Sequence, residues 1–316
     1  MKILLILLLT LSFLNAKKLK EPQARFIASG SVVDLFYENS KIYAATDAGS
    51  VDIFSIDSKK VLQRIQLSKI TDFMGDEIDS KIYSVDKIGK SILILSQAQK
   101  GARRVHVYKD NVNELIIPYT EKLFIAKAKF LNEHTILMAL LSNELISFDI
   151  IKKKINYKIQ VSQSKFSNFV LNEQKNEVVV CDESGDLKLH NTNDGSFIKT
   201  LSGKNLDNVF QVDYKNGLIA TAGQDRRIVI YNTKTSSSYY KTSSFLIYSV
   251  GLSKDATLVG YSCDENNNIC VFNTHTQQEI AKYGGNKMTL TNIIFVNKNQ
   301  FLSASDDKSI NLYTIK

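Results

Sequence analysis

Short apolar runs, broken every few positions by Gly, Asn, Asp, Ser or Lys, follow one another from residue 24 to the end of the chain. Residues 32–36, 41–45, 51–55 and 61–67 show the pattern plainly: four brief strands separated by polar tips. The same hairpin then recurs as SGDLKLHN (184–191), DRRIVIYN (225–232), NNNICVFN (266–273) and DKSINLYT (307–314). Their strand-start residues Leu187, Ile228, Ile269 and Ile310 lie 41 residues apart. Upstream, Leu145, Ile92 and Val51 extend the register, with one long step of 53 residues between Ile92 and Leu145. A period near 40 to 45 residues belongs to four-stranded units stacked radially, because one such unit cannot bury its own two faces. Seven strand starts therefore predict an all-β, seven-bladed β-propeller. Three residues follow Tyr313, which leaves the last unit one strand short, while 24–29 (ARFIAS) precede the first unit unassigned. The N-terminal segment is expected to supply the missing strand and close the last blade, leaving no open sheet edge.

Residues 1–16 stand apart from this pattern. Lys2, the apolar run 3–14 and the small-residue exit at Asn15 and Ala16 predict a secretory signal peptide, too short to span a bilayer. No cysteine follows the apolar run, so a lipid or other membrane anchor is not expected, and the expected location is a periplasm. Residues 17–316 read as a single, monomeric domain, since no Gly/Ser linker divides them. The formal charge of +8 is nearly all lysine, spread along the chain as on a solvated surface. Export and the lack of a basic tract with interleaved aromatics argue against nucleic acid as a partner. Cys263 and Cys270 flank one hairpin and can pair as a disulfide in an oxidising compartment. Cys181 stands six residues before its strand start, as Cys263 does, with Ala222 and Ala304 at the matching positions, and reads as a packed free thiol.

The stretches SASDDKSINLY (303–313) and TAGQDRRIVIY (221–231) resemble WD-repeat hairpins, with Asp225 and Asp307 at the tip-aspartate position. The family's tryptophan is replaced by Phe54, Leu95, Phe148, His190, Tyr231, Phe272 and Tyr313, and no histidine follows a glycine. The family's Asp–His–Ser/Thr–Trp hydrogen-bond chain is thus not expected, and the blades are expected to rely on apolar packing. A narrower resemblance joins TDAGSVDIF (46–54), ITDFMGDE (70–77) and KIYSVDKIGKSILIL (81–95) to the NapL family, exported propeller accessory proteins of periplasmic nitrate reductase systems. What this resemblance implies is a role in maturation of, or electron supply to, such a reductase, with a component of that system as the protein partner.

Catalytic and cofactor signatures are missing. There is no C-x-x-C-H, C-x-x-C or H-E-x-x-H, and His106, His134, His190 and His275 fall in different units. No cofactor, metal or catalytic residue is expected, and the reading is a non-enzymatic scaffold. Two features rise above the background. Just before the apolar centre of each inner strand stand Asp34, Lys127, Asn168, Gln211, Ser249 and Asn292, six units of seven, which predicts a polar ring around the channel. The second is 72–77 (DFMGDE), expected in the inner-strand region of unit two. Its Phe73 and Met74, rimmed by Asp72, Asp76 and Glu77, form a candidate partner anchor, with Arg103 and Arg104 nearby to offset or extend it. The rival readings are a lactonase-like enzyme with a metal or small ligand in the channel, drawing on Asp34, Asn168 and Asn292, and an outer-membrane assembly scaffold.

Overall fold

A computed structural model describes residues 19–315; the expected signal peptide lies outside the described residues. Seven four-stranded antiparallel sheets form a ring, a seven-bladed β-propeller. Blade one comprises Val32–Glu38, Lys41–Thr46, Ser50–Ser55 and Val61–Gln66, ordered from the channel outwards. The tips follow local chemistry. Asn39-Ser40, Asp110-Asn111 and Asn216-Gly217 each fill a two-residue hairpin turn with both φ angles positive, the mirror-image turn that matches strand twist. Second strands such as Thr135–Leu140 are buried along nearly their whole length, because both of their faces meet a neighbouring blade. The ring closes as the pattern predicts: Ala24–Ile27 pairs antiparallel with Ser309–Thr314, from Ala24 opposite Leu312 to Ile27 opposite Ser309. Phe26 then packs with Val32, Leu35, Phe54 and Ile310 in the core between blades seven and one.

Blade two departs from the expected register. Its inner strand is Ile82–Ile88, its second Ser91–Gln97, its third Arg103–Lys109 and its outer strand Val112–Ile117. Ile92 therefore lies in a second strand, and Val105, paired with Leu95, takes the strand-start position. The strand aromatic of this blade is Tyr108, three residues on, in place of Leu95. The extra residues of the chain fall before blade two, in residues 67–81, where Ile70–Thr71 and Glu77–Ile78 pair as a separate two-stranded ribbon. Consequently 72–77 is not inner strand but the tip of that ribbon. Blade six holds a smaller shift, since its turn is one residue longer. Ser262 pairs with Ile269, whereas Cys181 pairs with Leu187, so Cys181 and Cys263 are not equivalent.

The expected reliance on apolar packing alone also needs correction. In blade five the Asn205 carboxamide donates to the Tyr231 hydroxyl (3.2 Å) and accepts from the Thr221 hydroxyl (2.8 Å). Blade seven repeats this with Asn286, Tyr313 (3.2 Å) and Ser303 (2.7 Å). Each asparagine lies on the segment entering its blade, so one buried amide ties that segment to the second and third strands. A hydrogen-bonded set of asparagine, tyrosine and threonine or serine thus adds to the apolar packing of these two blades.

Candidate functional site

Six of the seven inner strands carry a register irregularity near their start, and the ring residue sits at it: Asp34, Ser84, Lys127, Asn168, Gln211 and Asn292. A bulge of this kind re-aims one side chain out of the pleat. Ser84 is the member missing from the expected six, and Ser249, just ahead of the short strand Val250–Leu252, completes seven. A sequence signal for Ser84 exists. Each ring residue ends a triplet whose first residue is buried and apolar, and Ile82-Tyr83-Ser84 repeats Ile247-Tyr248-Ser249 letter for letter.

Most of the ring's polar atoms are engaged in holding blades together. Asp34 accepts from the Val85 N–H of blade two (3.0 Å), and Ser84 Oγ accepts from the Ala128 N–H of blade three (3.2 Å). Lys127 Nζ donates to the Phe169 carbonyl of blade four (2.8 Å), and Gln211 Oε1 accepts from the Val250 N–H of blade six (2.8 Å). In all four cases the partner is the residue following the next blade's own ring position. A second tier repeats the step two residues along, with Asp86 on the Phe130 N–H (2.7 Å) and Asp213 on the Leu252 N–H (2.8 Å). Longer bonds bypass a blade. Lys129 of blade three reaches Asp34 of blade one (3.3 Å), and Gln211 of blade five reaches the Thr291 carbonyl of blade seven (3.1 Å). The ring is thus a set of clamps that also narrows the channel.

A cavity of about 660 Å³ lies on one side of this constriction. Its walls run from Asp34, Lys127, Gln211 and Asn292 towards Glu38, Lys175, Lys215 and Lys254, so it opens at the face of the inner-to-second strand turns. The channel is ill suited to a cation. Asp34 Oδ1 accepts from the Leu35 N–H and the Asn292 amide, and Oδ2 from Val85 and Lys129, which uses its lone pairs on donors. Lys127 and Lys129 add positive charge beside it. Among the described residues, no group of three or more His, Cys, Asp and Glu side chains is placed to hold a metal ion.

The second site stands on the opposite face, where outer strands return to inner ones. At the tip of the ribbon, Asp72 Oδ1 accepts from the Met74 N–H (2.8 Å) and the Asp76 N–H (3.0 Å), and Gly75 turns the chain at φ +95°. A tip closed this way keeps its side chains outside. Phe73 is 85% exposed and Met74 73% exposed, while Asp72, Asp76 and Glu77 surround them. Ile70 and Ser80 bury the ribbon's root. Arg104 fastens that root, donating to the Ser68 carbonyl (3.2 Å) and Ser80 Oγ (3.2 Å). Arg103 stacks on the Tyr83 ring, with its guanidinium carbon 3.7 Å from the centroid. Both arginines are thus engaged at the base. Lys69 stands beside the acidic tip, its Nζ 3.9 Å from Glu77 Oε2.

Cys263 and Cys270 form a disulfide at the rim of blade six, Cα atoms 5.7 Å apart. Cys181 is a buried free thiol facing the Asn168 and Val209 carbonyls, and burial pushes its pKa up. His190 is buried, with Nδ1 2.9 Å from the Gly195 carbonyl and its ring against Phe197. Comparison of the chain with protein-family models and with curated proteins finds no match.

Proposed function

We propose that this protein is an exported, non-enzymatic interaction scaffold, serving a periplasmic nitrate reductase system as an accessory factor in maturation or electron supply. The observation that carries the scaffold reading is the ribbon tip. A phenylalanine and a methionine held outside the fold by an aspartate-closed turn serve no packing need of the blades. Apolar anchors ringed by charge are how protein interfaces concentrate binding energy. The face around them supports the same reading. Tyr119, Phe124, Leu141, Leu206 and Met288 are also exposed on its connecting loops, while among the described residues the opposite face's loops expose one large apolar residue, Ile151. A propeller's blades are rigid and its loops vary freely, so such a face can be specialised without disturbing the fold. The reductase assignment rests on the resemblance of 46–54, 70–77 and 81–95 to NapL proteins.

The test is affinity purification from periplasm with the native chain and a Phe73→Ser/Met74→Ser variant. Native protein is expected to retain a component of the reductase system, and the variant to lose it while unfolding at the same temperature. Retention of the component by the variant would remove the anchor. Native protein that captures other proteins through Phe73 and Met74, but nothing of that system, would leave a scaffold and remove the reductase.

A further inference from the structure

Each blade ends in an outer strand on the rim of the ring, and one edge of that strand has no partner within its own sheet. Six of the seven outer strands carry a cation: Arg64, Lys158, Lys199, Lys241, Lys282 and, on the closing strand, Arg25. A charged side chain on an edge keeps a further strand from adding to it. Blade two's outer strand, Val112–Ile117 (VNELII), has no Lys, Arg or Pro. Its Val112 is 65% exposed and its Leu115 43% exposed. Beside it, towards blade three, lies a cavity of about 540 Å³ lined by Leu115, Ile117, Pro118, Leu123, Phe148 and Ile155. Among the described residues no further strand pairs with this edge.

The backbone here is set to receive one. Asp110-Asn111 is a two-residue turn, so Lys109 and Val112 on either side of it exchange hydrogen bonds. Bonded and non-bonded pairs alternate along an antiparallel ladder, so Asn113 and Leu115 turn their N–H and C=O groups outwards. The ladder is regular from Val112 to Leu115, and its irregularity comes only afterwards, at Ile116.

We propose that this edge is a dimerisation surface, on which a second copy of the chain lays its own Val112–Ile117 antiparallel across a two-fold axis. Charge selects the occupant. In a chain of formal charge +8, meeting through any other pair of outer strands sets lysines or arginines against one another, whereas blade two against blade two brings none. Asn113 of each copy then pairs with Leu115 of the other, which satisfies every outward group of both residues. Glu114 of the two copies meets at the axis, each with its own Lys153 3.6 Å away, so two ammonium groups flank the two carboxylates. One patch used on both copies closes on itself and gives dimers rather than filaments. The edge is on the rim and not on either face, so the inference stands whichever partner the Phe73 face takes.

Size-exclusion chromatography with light scattering, on the full chain purified from periplasm, tests this. Between about 1 and about 200 μM the mass should rise from one copy to two. Leu115→Lys, which gives blade two the guard of the other blades, should weaken the dimer at least about tenfold with an unchanged unfolding temperature. Lys153→Glu should weaken it as well, and more so at low salt, because four carboxylates then crowd the axis. Position 114 faces its own copy with Cα atoms about 4.5 Å apart, within disulfide reach. Mild oxidation of Glu114→Cys should therefore give a covalent dimer on a non-reducing gel, while Leu62→Cys, exposed on blade one's outer strand, should not. Where Leu115→Lys fails to fold, the Glu114→Cys cross-link decides in its place. A native chain that stays monomeric at about 200 μM overturns the proposal, whether the edge is then bare or covered by another protein's strand. So does a dimer that Leu115→Lys leaves intact, or one that Glu114→Cys does not lock.

Discussion

Asn205 and Asn286 each serve two strands through one carboxamide, donating to a tyrosine hydroxyl and accepting from a threonine or serine. Removing one partner strands the others in a buried place. Thr221→Val and Asn286→Leu should therefore each cost about 1–3 kcal/mol in denaturant unfolding. Asn286→Leu combined with Tyr313→Phe should cost less than the two changes summed. A second single-residue effect concerns His106, buried on the third strand of blade two, where burial and nearby Arg104 pull its imidazole down to about 4. The unfolded chain binds that proton below about 6.5, so the folded state loses stability as pH falls from 6.5 towards 4. The loss should approach the order of 3 kcal/mol by pH 4. Unfolding curves at pH 7, 5.5 and 4 check it, and His106→Phe should flatten that part of the profile.

Among elements, the inner strands and the ribbon behave in opposite ways. Asp34 ends four hydrogen bonds from blades one, two, three and seven, so Asp34→Ala leaves Lys129 and the Val85 N–H without their partner. A loss of about 3 kcal/mol or more is expected from thermal or denaturant unfolding. Phe73→Ser with Met74→Ser, by contrast, should change stability by less than about 0.5 kcal/mol, because both side chains already face water. Much of this was legible in the sequence. The 41-residue step placed the third strands of six blades and the closing strand, because a radial repeat forces the same burial at the same positions. Blade two escaped because Ser91–Gln97 (SILILSQ), a second strand buried on both faces, has the apolar density of a third strand. The ribbon's extra residues then made Ile92 fall on the period by coincidence. The ring residues were visible as polar breaks in apolar strands, but not their purpose. Side chains that bond the next blade's backbone leave no trace in spacing along one chain. The asparagine chains were hidden for a similar reason, since Asn205 and Asn286 lie in loops whose amides look like ordinary turn chemistry.

The whole molecule is polarised. Loops on the face bearing Phe73 carry fourteen Asp and Glu against nine Lys and Arg, while the opposite loops carry six against nine. A chain of formal charge +8 thus presents an acidic face with apolar anchors. The partner expected there is basic around an apolar pocket, and its association rate should fall as salt is raised from 0.05 to about 0.5 M. Closure is the other global property. Deleting residues 19–27 removes the outer strand of blade seven and bares the edge of Ser309–Thr314, so aggregation is expected on size-exclusion chromatography. A peptide spanning 19–29 should suppress it. The most direct measurement of the central claim, that the Phe73 face is where this propeller meets its partner, is photo-crosslinking in periplasm from a benzophenone side chain at position 73 or position 151. Position 73 should yield a discrete adduct containing a nitrate reductase system component, and position 151, 67% exposed on the other face, should not. Adducts to that component from position 151 alone, or none from position 73, would contradict it.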